Sequence, residues 1–166
     1  GVLTKVYFPR MILPLAALGA GLVEVLIQLV IFIFFMLYYD ILPTMRMLAL
    51  PGFILLALLT ALGFGIWLTA LNVKYRDIGM AVPFVVQIWM YLCPIVYPVT
   101  LVPERFQAFY ALNPMVGVIE GFRWSLLGTA SPNWNAVGVS ALVMTLVLLS
   151  GLFYFRRAEA WFADVI

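Results

Sequence analysis

Histidine is missing from this 166-residue sequence, and cysteine occurs once, as Cys93 inside an apolar run. A single thiol makes no disulfide and no thiolate metal site, and without imidazole the most frequent general base and metal ligand is gone. Charge is scarce as well. Lys and Arg number nine and Asp and Glu seven, a formal charge of +2 with no clustered basic face of the kind a nucleic acid needs. No G-x-x-x-x-G-K-[ST] loop is present, so any nucleotide hydrolysis must reside on another chain. Nor does a nucleophile stand beside a base, or an acidic cluster suit a metal-bound sugar nucleotide. The first ten residues lack a signal-peptide pattern and begin with Gly1 rather than Met, so the chain is expected to be a piece of a longer protein. These absences turn the reading away from group transfer and towards transport or scaffolding.

What fills the sequence instead is apolar: 66% of residues are hydrophobic and 10% charged, against roughly 45–50% and about 25% in soluble domains. A soluble domain is excluded. About 20 apolar residues cross a bilayer core of roughly 30 Å, and four runs reach that length, at 11–39, 47–71, 78–102 and 136–155. The third carries Pro83, Pro94 and Pro98, so its helix should bend or break towards the far end. Between it and the fourth run, segments 104–112 and 115–128 are amphipathic, too short to span, and separated by the turn-forming pair Asn113-Pro114. They read as two short helices that dip into the membrane and return, with an interfacial pair as the alternative. Glu120 and Arg123, three apart, share one helical face. The expected fold is an all-α polytopic membrane protein: four spans, two re-entrant helices and a tail at 156–166.

Lys and Arg orient the spans. Lys5, Arg10, Lys74, Arg76, Arg156 and Arg157 fall on one side, and Arg46, Arg105 and Arg123 on the other. Both ends are therefore expected in the cytoplasm. Glu24 lies halfway along the first run with Gln28 one turn on, and an ionisable group at that depth needs a partner or a water-filled path; the alternative is a structural pairing with a neighbouring helix. Lys74, Tyr75, Arg76 and Asp77 crowd a tight cytoplasmic loop that serves as a docking surface, a gate or merely a solvated turn. Phe84, Trp89, Tyr91 and Tyr97, with Gln87 among them, offer aromatic planes suited to sugar rings, although Tyr97 and Trp124 also fit as interfacial anchors.

The stretches KVYFPRMILPLA, LNVKYRDI, PFVVQIWMYLCPIVYP, VPERF, FYALNPMVGVIEGFRWSLLG and FRRAEAWFADVI, in that order, resemble the permease of type-2 ABC exporters of bacterial surface polysaccharides: O-antigen, capsule and teichoic acid. The resemblance covers essentially the whole chain. It implies a six-span permease of which these are spans three to six, so that an N-terminal amphipathic helix and two spans are expected upstream. Lys5, Tyr7 and Arg10 would then belong to or follow a coupling helix on a nucleotide-binding subunit, and Tyr75, Arg76 and Asp77 would lie near the gate. ATP and magnesium would sit on that partner, with no cofactor on this chain. A second permease copy would complete a channel in the bacterial inner membrane for a polyprenyl-linked glycan, whose charged head Arg10, Lys74 and Arg76 would attract beside anionic lipids. Asn113, Pro114, Glu120, Arg123 and Trp124 would belong to the returning helices. A drug or lipid permease of the same architecture is the nearest alternative, and an ion-coupled carrier using Glu24 and Gln28 comes from another class.

Overall fold

The computed structural model describes residues 12–75, 77–128 and 131–163. The chain divides into two compact units, residues 1–42 and 43–166. The first contains one long helix, α1 (Ile12–Tyr38). It ends through Asp40, whose φ of 57° lies in the left-handed region that a short polar side chain tolerates. The Ile41 N–H then returns to the Met36 carbonyl at 2.9 Å, satisfying one of the helix's orphan acceptors.

The second unit begins with a 3-10 turn, Met45–Ala49, that runs directly into α2 (Leu50–Lys74), where Pro51 occupies the first turn and loses nothing by lacking an N–H. Then follow α3 (Ile78–Tyr91), a short 3-10 turn at Val99–Leu101, α4 (Glu104–Ala111), α5 (Pro114–Leu127) and α6 (Trp134–Ala163). The described residues form an all-helical, polytopic membrane protein. Among the described residues, three helices are long and apolar enough to cross a bilayer, over Gly19–Tyr38, Met45–Asn72 and Trp134–Arg157.

In the expected third span, 78–102, only the first part is a regular helix. Its helix stops at Tyr91 after 14 residues, a rise of about 21 Å that falls short of the roughly 30 Å hydrocarbon core. Pro94 and Pro98 supply no N–H to extend the ladder, and the chain continues as irregular backbone before the next 3-10 turn. Re-entrant segments expected at 104–112 and 115–128 correspond to α4 and α5, divided at Asn113, which caps α5.

In an apolar medium every hydroxyl must find an acceptor close by. Thr60, Thr69, Ser125 and Thr145 each donate to the carbonyl four residues back, at 2.8, 2.7, 2.6 and 2.8 Å. The packed centre is formed by α2, α5 and α6. Along the α2–α6 seam small residues let the backbones approach: a Cβ at Gly63 would stand 3.2 Å from the Leu148 backbone, and one at Gly151 3.2 Å from the Gly63 carbonyl. Trp67 stacks on Tyr154 with ring centroids 4.8 Å apart, and its indole N–H donates to Ser150 Oγ at 3.1 Å.

Candidate functional site

Polar side chains gather where α3 ends. Asn113 is their hub. As the α5 cap, its Oδ1 accepts from the Met115 N–H at 3.1 Å and also from Trp89 Nε1 at 3.0 Å. Its Nδ2 donates to the Leu92 carbonyl at 3.4 Å and reaches Cys93 Sγ at 3.5 Å. One side chain thus joins the last turn of α3 to the first turn of α5. From α6, buried Ser140 completes the joint, donating to the Ala111 and Asn113 carbonyls at 3.2 and 3.4 Å and accepting from the Gly117 N–H at 3.2 Å.

Arg123 holds the broken segment itself. Its Nη2 donates to the carbonyls of Pro94 at 2.7 Å and Ile95 at 3.0 Å, and reaches that of Tyr97 at 3.5 Å. Nη1 divides between Glu120 Oε1 at 3.3 Å and the Tyr97 carbonyl at 3.4 Å. A planar fork of five donors suits this task, because the end of a helix followed by proline leaves several carbonyls without partners at once. The Tyr97 hydroxyl also meets the Tyr110 hydroxyl and lies 3.1 Å from the Tyr91 carbonyl, which ties the segment to α4.

The aromatic residues singled out in the sequence separate into two groups. Trp89 is half-buried, packed edge-on against Phe64 and bonded to Asn113, so it serves the packing of α3 on α2 and α5. Phe84, Gln87 and Tyr91 are exposed along α3. Beside them an open apolar groove of ≈ 410 Å³ is lined by Phe64, Val85, Trp89, Leu92, Leu112 and Pro114, among others. Trp124 meets Trp134 edge-to-face at 5.3 Å, with the Arg46 guanidinium 5.7 Å from its ring. Glu24 and Gln28 are exposed on α1. Tyr75 and Asp77 are exposed between α2 and α3, where the Gly79 N–H bonds back to Asn72 Oδ1 at 2.8 Å. Lys74 ends α2. Lys5, Tyr7, Arg10 and Arg76 lie outside the described residues.

Three features were not singled out from the sequence. Gly117, Gly121 and Ser125, four apart, form a buried stripe on α5. The small-x-x-x-small spacing was the available signal. Ser140 carried none, since one Ser in an apolar run looks like any other. Arg46 donates to the carbonyl of Gly128, the left-handed cap of α5, at 3.0 Å; charge counting saw only its sign. The site offers fixed donors, aromatic edges and an apolar groove. Cys93 is buried at its centre, with an amide and main-chain groups around it rather than a base.

A family model described as ABC-2 type transporter matches residues 1–127, a region that closes with the last residue of α5. The O-antigen export system permease protein RfbA of Myxococcus xanthus is 27% identical over 169 residues, covering 99% of this chain and 64% of the relative. Two proteins of the same name from Klebsiella pneumoniae are 23% and 22% identical over 166 residues, with the same coverage. The chain therefore spans 64% of the length of these curated relatives.

Proposed function

The chain belongs to the ABC-2 type transporter family, and from that premise we propose that it is the membrane-spanning part of an ATP-driven exporter that carries lipid-linked polysaccharide out of the cytoplasm. The observation that carries the reading is the similarity to O-antigen export permeases along 99% of the chain. In keeping with it, the sequence has no phosphate-binding loop, so ATP hydrolysis would reside on a nucleotide-binding subunit. In this reading the protein lies in the bacterial inner membrane with both ends of the chain cytoplasmic, and a second copy completes the conduit.

ATP binding on the partner moves the cytoplasmic loops docked on it, around Lys5, Tyr7 and Arg10 and at Lys74 to Asp77. That motion shifts helices against one another as rigid bodies. The anionic head of a polyprenyl-linked glycan is drawn to Arg10, Lys74 and Arg76. Its sugar rings then pass the exposed Phe84, Gln87 and Tyr91 of α3, with Tyr97 beyond. No covalent chemistry falls to this chain.

Co-purification tests the coupling. The full-length permease should retain a soluble ATPase through detergent extraction, and reversing the charges of Lys5 and Arg10, or of Arg76, should lower transport-coupled ATP hydrolysis with membrane insertion intact. Unchanged coupling in those variants removes the docking role from these loops.

A further inference from the structure

Glu24 stands at the middle of α1, a helix of 27 residues whose rise of about 40 Å exceeds the roughly 30 Å hydrocarbon core. Even with the span set over Gly19–Tyr38 it lies about 8 Å inside, deeper than a short carboxyl side chain climbs. Charged or neutral, a carboxyl at that depth needs hydrogen bonds that lipid tails do not give. Yet Glu24 and Gln28 are exposed, and no hydrogen bond within α1 engages either side chain. We propose that the Gly21–Glu24–Gln28 face of α1 is a helix–helix interface, closed in the full-length permease by a spanning helix that lies beyond this sequence and carries a Lys or Arg level with Glu24.

Spacings of three and four put Gly21, Glu24 and Gln28 on one side of the helix. A Cβ at Gly21 would meet nothing within 4 Å, so a second backbone has room to come close there. The opposite side is of another kind: Val23, Leu26, Val30 and Leu37 are apolar and exposed, which suits lipid. One side of α1 is thus served by hydrocarbon and the other is not. An ionised carboxylate only accepts, so its partner must donate, and a cation also cancels the charge. The other spans hold their cations at their ends, Arg46 near the start of one and Arg156 and Arg157 at the end of the next. A second copy fits poorly, because a two-fold axis on this face would bring Glu24 towards Glu24. Room for a further helix exists: the match covers 64% of each relative, and more than a third of such a permease lies outside it. This interface goes beyond the export reading, for it depends on the membrane placement of α1 and on no particular cargo.

Photo-crosslinking in the full-length protein in native membranes reads the neighbours of each side. Ile31, on the Glu24 side, and Leu26, on the opposite one, are 51% and 48% exposed, so exposure alone would give both the same neighbours. With p-benzoylphenylalanine at each position in turn, mass spectrometry after irradiation should find Leu26 joined to lipid. Ile31 should be joined within one chain to a peptide from outside residues 1–166 that has a Lys or Arg in an apolar run. Lipid adducts at Ile31, a crosslinked species of doubled mass, or a captured helix without a basic residue overturns the proposal. Position 24 gives an independent reading through the yield of folded protein after detergent extraction. Glu24→Gln keeps an acceptor and should stay near wild type, whereas Glu24→Leu should fall severalfold. Equal yields for the two, or a higher yield for Leu as a lipid-facing position would give, contradict the interface.

Discussion

Phe53 lays the edge of its ring on Gly121, so closely that a Cβ built there would stand 2.1 Å from Cε1. The approach of α5 to α2 depends on that missing methyl. Gly121→Ala should overpack the seam at a cost of about 1–3 kcal/mol, lowering the thermal midpoint of the detergent-solubilised protein. Phe53→Leu in the same chain should restore much of the loss. A double-mutant cycle reads the coupling, and strictly additive effects would mean that the two residues do not press on one another.

Asn113→Ala should cost more than Trp89→Phe. The first removes a helix cap and leaves the indole N–H without its acceptor. The second removes one donor from an oxygen that keeps the Met115 N–H. Caps are worth about 0.5–2 kcal/mol, and a stranded donor about 1–3 kcal/mol. Thermal midpoints of the two variants test the order, and equal losses would show that Asn113 acts through Trp89 alone.

Ser140→Ala strips three contacts at once: the acceptor of the Gly117 N–H and the donor to the Ala111 and Asn113 carbonyls. At roughly 1 kcal/mol per bond, and more where a buried partner is stranded, the joint between α6 and the start of α5 should loosen. Hydrogen exchange is the direct probe. Faster exchange at Val116 to Val118, with α2 unaffected, is the expected pattern, and uniform protection would argue that the hydroxyl is dispensable.

Much of this architecture is legible in the sequence because it is local. Apolar run length gives α1, α2 and α6, and Asn113-Pro114 gives the boundary between α4 and α5. Proline spacing foretells that α3 breaks, though its end at Tyr91 had to be seen. The knot around the break is a different matter. Arg123 bonds carbonyls 26 to 29 positions earlier, and Ser140 bonds carbonyls 27 and 29 earlier; such reach depends on how helices return, which periodicity does not encode. For the same reason the partners of Trp89, whose ring packs on Phe64 and whose N–H bonds Asn113, are not legible in the sequence.

Glu24 offers a way to separate the two classes of transporter. Its carboxylate carries an insertion cost of at least about 2.5 kcal/mol near the middle of a span. An ion-coupled carrier would retain that cost because the group moves a proton. Glu24→Gln should leave ATP-driven export within about twofold of wild type, an allowance well under the tenfold that 1.4 kcal/mol represents. Abolished export with normal insertion would favour the carrier.

As proposed above, the full-length permease would conduct a lipid-linked glycan on energy supplied by another subunit. Its most direct test is translocation in sealed vesicles holding the full-length permease and its ATPase, with a polyprenyl-linked glycan on the side facing the ATPase and a lectin trapped on the other. Lectin capture should require ATP hydrolysis and persist when the proton gradient is collapsed. Capture driven by a proton gradient without ATP, or ATP-dependent movement of a drug or simple lipid with none of the glycan, would contradict it.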